Sequence, residues 1–131
     1  MTSSFVTDTH SLLWYLQGSP QLGVAARQAF DEVVAGTAHL VIPVMVVAEM
    51  VLLLEKGRTA IDLDAILTTL ESLPGVTIAP LTLEVTLGIR QLVALPDMHD
   101  RLIVAEARVR EADLISVDRA ITASGLVRLV W

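Results

Sequence analysis

Short continuous runs of Val, Ile and Leu, each followed by a segment with helical spacing, constrain this chain more than any other feature. The runs are "SFVT", "HLVI", "VTIAPL", "DLISV" and "LVRLVW". Strands that are apolar on both faces belong in a parallel sheet covered on both sides, and parallel neighbours need a crossover, usually a helix. The intervening segments supply those helices. "HSLLWYLQ" stops at Gly18-Ser19-Pro20, "VAARQAFDEVVAG" ends at Gly36, and a third helix has Pro43 as its first residue and runs to Lys56-Gly57. "DLDAILTTLESL" closes at Pro74-Gly75, followed later by "TLEVTLGIRQLVAL", "DMHDRLIVAEARVREA" and the short "RAITAS". The expected architecture is one α/β/α sandwich with a central, mainly parallel sheet, as a single domain over residues 1–131. A chain of 131 residues with 53% hydrophobic content can build one core. No repeat, low-complexity segment or linker interrupts it. In such sheets the functional crevice lies outside the carboxyl ends of the strands, where Asp8 and Asp118 both fall.

The stretch "LVIPVMVVAEMVLLLE" carries one interior carboxylate, Glu49. On a helix its neighbours three and four positions away are Met45, Val46, Leu52 and Leu53, so Glu49 reads as turned away from solvent. An unpaired buried carboxylate costs several kcal/mol and is stabilised by protonation, ion pairing or a metal. No Lys or Arg lies within one turn, so the partner comes from elsewhere in the fold.

Composition narrows the setting. Residues 40–54 form the longest apolar run, but Pro43 and Glu49 interrupt it and it is shorter than the ~20 residues of a membrane span. "MTSSFVTDTH" has neither the basic region nor the apolar core of a secretory signal. The absence of cysteine excludes disulfides and thiolate chemistry. A cytoplasmic protein without a membrane segment is expected. The formal charge of −6, with one lysine among nine basic residues, argues against sequence-independent phosphate binding as the main activity. It leaves room for an enzyme acting on nucleic acid, because carboxylates gathered around a cation count as negative here. Six of the nine basic residues (Arg90, Arg101, Arg108, Arg110, Arg119 and Arg128) lie in the last third and can form a local basic surface.

Four acidic positions stand out: Asp8 after the first strand, Glu49 in the apolar helix, Asp100 (with Asp97) opening a helix, and Asp118 after a late strand. Each Asp has a plain alternative reading. Asp8 and Asp118 suit N-caps, and Asp97 three residues before Asp100 has capping-box spacing, with first-turn acids favoured by the helix dipole. Several carboxylates at one mouth raise one another's pKa values unless a cation sits among them. Mg²⁺ or Mn²⁺ prefers such oxygen ligands, and a cation would make Glu49 a ligand or a carboxylate just behind one. His10, His39 and His99 lack zinc-ligand spacing and read as surface or loop residues, with proton transfer by His99 as a lesser alternative. Trp14 and Tyr15 read as packing residues rather than base-stacking platforms. No Gly-rich phosphate loop is present.

With these residues in place, "VTDTHSLLWYL" resembles the opening of PIN domains of the VapC toxin type, and "PDMHDRLIVAEA" followed by "LISVD" is similar to their later signature, "DPFDRLLIAQA" and "LVTAD". The likeness extends over nearly the whole chain, including "GLVRLVW". It implies a PIN-like α/β/α sandwich and a metal-dependent endoribonuclease toxin, using Mg²⁺ or Mn²⁺ to hydrolyse RNA phosphodiesters. It also implies a homodimer neutralised by a cognate VapB-type antitoxin. Carried over by position, Asp8, Glu49, Asp100 and Asp118 match the family's four acids. Asp97 matches the additional acid of "DPFD", Ser116 takes the place of the Ser/Thr two residues before the last Asp, and Thr9 follows the first acid as a supporting residue. Two positions depart: Pro43 stands where the family commonly has Ser or Thr, and Glu106 replaces a common Gln, facing either the cleft or solvent. Arg101 and Arg119 are weaker candidates for approaching phosphate.

Other small α/β proteins with acids at strand ends fit less well. A phosphotransfer receiver domain needs paired acids after the first strand and a lysine after a late one, whereas Asp8 is followed by Thr9-His10 and the only lysine is Lys56. A haloacid-dehalogenase phosphatase needs Asp-x-Asp, and His10 occupies the second position. A PIN-like binding module without catalysis is the remaining alternative.

Overall fold

The computed structural model describes residues 2–131; only Met1 of the expected span lies outside them. Five strands, β1 (Ser3–Thr7), β2 (Ala38–Pro43), β3 (Val76–Ala79), β4 (Asp113–Ile115) and β5 (Leu129–Val130), form one sheet in the order β3-β2-β1-β4-β5. Every neighbouring pair is parallel, with Phe5 opposite both Leu40 and Asp113. Seven helices connect and cover them: α1 (Thr9–Leu16), α2 (Val24–Val34), α3 (Val44–Glu55), α4 (Leu63–Ser72), α5 (Leu83–Gly88), α6 (Met98–Val109) and α7 (Arg119–Ser124).

Strand alternation decides which helix lies on which face. Leu40 and Val76, paired across β2 and β3, point one way, into a hollow bounded by α1, α2 and α4. Pro43 and Ala79, an odd number of residues further along, point the other way, toward α3, α5 and α6. The sheet is therefore covered on both faces, which is why Val6, Ile42, Leu114 and Ile115 are fully buried. On the first face Tyr15 stacks on Phe30 at 4.6 Å and its hydroxyl donates to Asp31 Oδ1 at 2.8 Å. Burial and that carboxylate push the Tyr15 pKa up to about 12.

Several boundaries differ from the sequence reading. Pro43 is the last residue of β2 rather than the first of α3; its ψ of 136° is extended and it sits opposite Ala79. The helix expected over "TLEVTLGIRQLVAL" stops at Gly88, gives one 3₁₀ turn at Ile89–Gln91, and then turns. Gly88 is a poor helix former, Pro96 disfavours the α region for Leu95, and the Arg101 guanidinium holds the Leu95 carbonyl. These constraints seat Leu92 and Leu95 in the core. The last two strands, β4 and β5, are shorter than their apolar runs; after β4, Ser116 and Val117 leave the sheet before Asp118.

Candidate active site

The strand order reverses at β1, whose neighbours β2 and β4 lead to opposite halves of the sheet. Ligands of open α/β sheets bind at this switch point, beyond the carboxyl ends of the strands. A cavity of about 250 Å³ lies there, lined by Asp8, Thr9, His10, Glu49, Asp97, His99, Asp100, Ile103 and Asp118.

Local folding places each acid. Asp8 leaves β1, its backbone N–H donating to the Ile115 carbonyl at 3.3 Å, and its Oδ1 caps α1 by accepting from Ser11 N at 2.9 Å. Asp118 enters from β4, its N–H donating to the buried Ser116 Oγ at 3.1 Å, and its Oδ1 caps α7 through Ile121 N at 3.0 Å. Asp97 Oδ1 accepts from Asp100 N at 3.1 Å, which starts α6 and sets Asp100 in its first turn. The plain capping reading therefore holds for Asp8, Asp97 and Asp118. Capping engages one oxygen of each carboxylate and is compatible with a second role for the other.

Glu49 reaches the same cavity from α3, but it is half-buried rather than buried. Only Val46 and Met50 of α3 are buried, and Leu52, expected to shield Glu49, is 48% exposed. The outer face of α3 is uncovered, so the burial penalty expected for Glu49 is smaller than its apolar neighbours suggested. Asp100 carries the strain instead. Burial, then the charges of Asp118, Asp97, Asp8 and Glu49, lift its carboxyl from 3.8 to about 6.

Two residues were underestimated by the sequence reading. His10 and His99 are exposed, as expected of surface histidines, yet they are not scattered: both line the acidic cavity. The available signal was position, since each immediately adjoins or nearly adjoins an acid that opens a helix. Glu106 faces neither the acidic cavity nor solvent. It is buried and pairs with Arg110 at 3.2 Å. The Arg101 side chain is engaged at the Leu95 carbonyl.

Among the described residues no three carboxylates or histidines close into a preformed metal shell. The donor chemistry nevertheless fits a hard divalent cation: five carboxylates and no sulfur line the cavity, and Mg²⁺ keeps several waters between itself and a protein site. Thr9 adds an independent sign. Its Oγ1 is buried without a hydrogen-bond partner although the residue lines the cavity. A buried hydroxyl left unpaired costs about 1–3 kcal/mol, and a hydrated cation or a phosphate oxygen in the cavity is a suitable partner.

Comparisons with known proteins agree with this architecture. The fold is similar to that of VapBC2 from Rickettsia felis bound to a DNA fragment from their promoter, with 16% identity over 96% of each chain and a TM-score of 0.68. It is also similar to FitAcB from Neisseria gonorrhoeae, with 18% identity over 95% of each chain and a TM-score of 0.66. A toxin-antitoxin complex from Klebsiella pneumoniae matches with 18% identity over 96% of this chain and 95% of that one, at a TM-score of 0.63. At these identities the likeness establishes the fold. No curated protein matches the sequence. The family model described as PIN domain matches residues 5–124, and the chain therefore belongs to the PIN domain family.

Proposed function

We propose that this protein is a VapC-type toxin, a divalent-metal-dependent endoribonuclease that hydrolyses RNA phosphodiesters and is neutralised by a cognate VapB-type antitoxin. The observation that carries this reading is the meeting of Asp8, Glu49, Asp97, Asp100 and Asp118 at one cavity of a PIN-family chain, from four separate parts of the sequence. Asp8, Glu49, Asp100 and Asp118 would hold Mg²⁺ or Mn²⁺, with Asp97, Ser116 and Thr9 in support. When bound, the ion supplies Lewis acidity that activates water and offsets charge on the phosphoryl group. The chain's own residues orient the site. Ser116 fixes the backbone of Asp118, Asp97 fixes the first turn of α6, and Ile103 provides an apolar wall.

The toxin assignment is supported by the solved structures of similar fold, which include VapBC and toxin-antitoxin complexes. A homodimer is supported by the uncovered apolar face of α3, where Val44, Val51 and Leu52 are exposed. The decisive experiment incubates purified protein with unpaired RNA in Mn²⁺, Mg²⁺, Ca²⁺ or EDTA. Cleavage is expected with Mn²⁺ and Mg²⁺ and none with EDTA, while Ca²⁺, with its looser coordination, supports binding better than turnover. Undiminished cleavage in EDTA would overturn the metal-dependent reading.

A further inference from the structure

The ribonuclease reading leaves open how a chain of charge −6 grips its substrate. Phosphate contacts are the usual source of affinity, but six of this protein's nine cations contact groups of its own fold. Of nine basic residues, Arg27, Arg90, Arg101 and Arg108 donate to backbone carbonyls of Ser19, Leu87, Leu95 and Leu126. Arg110 and Arg128 pair with Glu106 and Asp113. Lys56, Arg58 and Arg119 are exposed and outside these pairings, Arg119 next to Asp118, but none of the nine lines the acidic cavity. A contact that does not depend on charge would add to the affinity that a bound cation supplies.

An aromatic series begins at the cavity rim. His10, one helical turn before Trp14, is exposed and lines the cavity, and its ring centroid lies 5.9 Å from that of Trp14. Trp14 meets Trp131 edge-on at 5.8 Å. Trp131 is seated in turn against Gly23, where an added Cβ would come within 2.6 Å of its backbone and of its ring. The absence of a side chain at Gly23 lets Trp131 lie close to the start of α2, which backs Trp14 and so sets His10. The exposed imidazole thus meets a packed aromatic series through a tilted contact, 53° between the ring planes, and lies beside five carboxylates that repel phosphate in the absence of a cation.

We propose that His10, backed by Trp14 and Trp131, is a stacking platform for an unpaired RNA base next to the phosphate held at the acidic cavity. Base–aromatic stacking contributes about 1–3 kcal/mol per base and tolerates any base, since each has a π-face. It works without net positive charge, which is what this surface lacks. It also requires a base free of its duplex, so the platform selects single-stranded or looped RNA. His10 adjoins Asp8 through the first turn of α1, so the platform and one of the cavity's acids are carried by one rigid element.

This inference rests on the ribonuclease reading, and the test separates the two. Binding of a short fluorescent 2′-O-methyl oligonucleotide, and of its abasic counterpart, is measured by anisotropy in Ca²⁺ for the parent, His10→Ala and His10→Phe. The expected result is that His10→Ala weakens binding of the base-bearing probe roughly tenfold, within the range of one stacked base. His10→Phe should bind within about twofold of the parent, because a benzene ring stacks without ring nitrogens. The abasic probe should not distinguish the three proteins. Equal binding by parent and His10→Ala overturns the platform while leaving the ribonuclease reading intact. Equal losses in His10→Ala and His10→Phe, or a loss that persists with the abasic probe, overturn it as well and assign His10 to its ring nitrogens or to phosphate. A parent that binds neither probe removes the RNA reading, and the platform with it.

Discussion

Asp100 is the residue where the cluster's electrostatics concentrate. Its carboxylate occupies the first turn of α6, where the helix dipole favours negative charge, yet its pKa is raised to about 6. Desolvation and four neighbouring acids therefore outweigh the dipole. In the metal-free protein the protonated form is favoured by folding. Its stabilising contribution is complete below the ordinary 3.8 and is lost as pH rises through about 6. Asp100→Asn, which keeps the size and removes the charge, should melt level with or above the parent in EDTA at neutral pH, with that advantage vanishing below pH 3.8. The same variant should lose RNA cleavage in Mn²⁺. Asp97→Asn should retain measurable cleavage, because asparagine caps α6 as well as aspartate does. Thermal melts and a cleavage assay on both variants check this; an Asp100→Asn that melts well below the parent, or cleaves as well, would remove Asp100 from the metal site. Thr9→Val makes a second residue-scale test. Removing a buried hydroxyl without a partner should leave the metal-free melt level or higher by up to about 1–3 kcal/mol, while calorimetry shows weaker Mn²⁺ binding. A lower melting temperature with unchanged Mn²⁺ affinity would contradict it.

At the scale of elements, the junction before β3 is closely packed. Gly75 is buried, its carbonyl accepts from Leu40 N at 2.8 Å, and a Cβ there would stand 2.6 Å from the Ala38 carbonyl oxygen. That neighbour is backbone on the adjacent strand and cannot rotate aside. Gly75→Ala should therefore destabilise by about 1–3 kcal/mol, as overpacking does, and lower the melting temperature by several degrees. Because the β2–β3 end lies away from the acidic cavity's lining, Mn²⁺ affinity of the folded variant should be unchanged. A melt identical to the parent's would show that the strands separate at low cost. α3 behaves differently. It is the most apolar helix of the chain; it buries Val46 and Met50, packs Met45, Val47 and Leu53 partly against the core, leaves its outer face uncovered, and carries Glu49 into the cavity.

The whole molecule is a sheet covered on both faces that keeps five of its fifteen acids at one mouth and an apolar face on α3. Exposed Val44, Val51 and Leu52 on that helix support self-association. Leu52→Arg places charge at a 48% exposed position, so it should change stability by no more than about 1 kcal/mol while shifting the proposed dimer to monomer in light scattering. Persistence of the dimer would remove α3 from the contact. Expression of the protein alone should arrest growth, and co-expression of the product of an adjacent small gene should restore it. Healthy growth in both cases, with no cleavage in vitro, would favour a binding module.

The order of strands and helices, the parallel sheet and the positions of Asp8 and Asp118 after their strands were legible because continuous Val, Ile and Leu runs and helical spacing are local signals. Capping by Asp97 was legible for the same reason, since donor and acceptor lie three residues apart. The resemblance to the PIN family added which acids belong together, something no spacing within the chain contains. Tertiary structure alone decided the rest. It seated Leu92 and Leu95 in the core once Gly88 and Pro96 had ended the fifth helix, left the outer face of α3 uncovered, and turned Glu106 inward to Arg110. It also brought His10 and His99, separate in sequence, to the same acidic cavity. Burial and charge interaction depend on distances between elements, and those distances arise only when the β1 and β4 ends, α3 and α6 pack around one switch point.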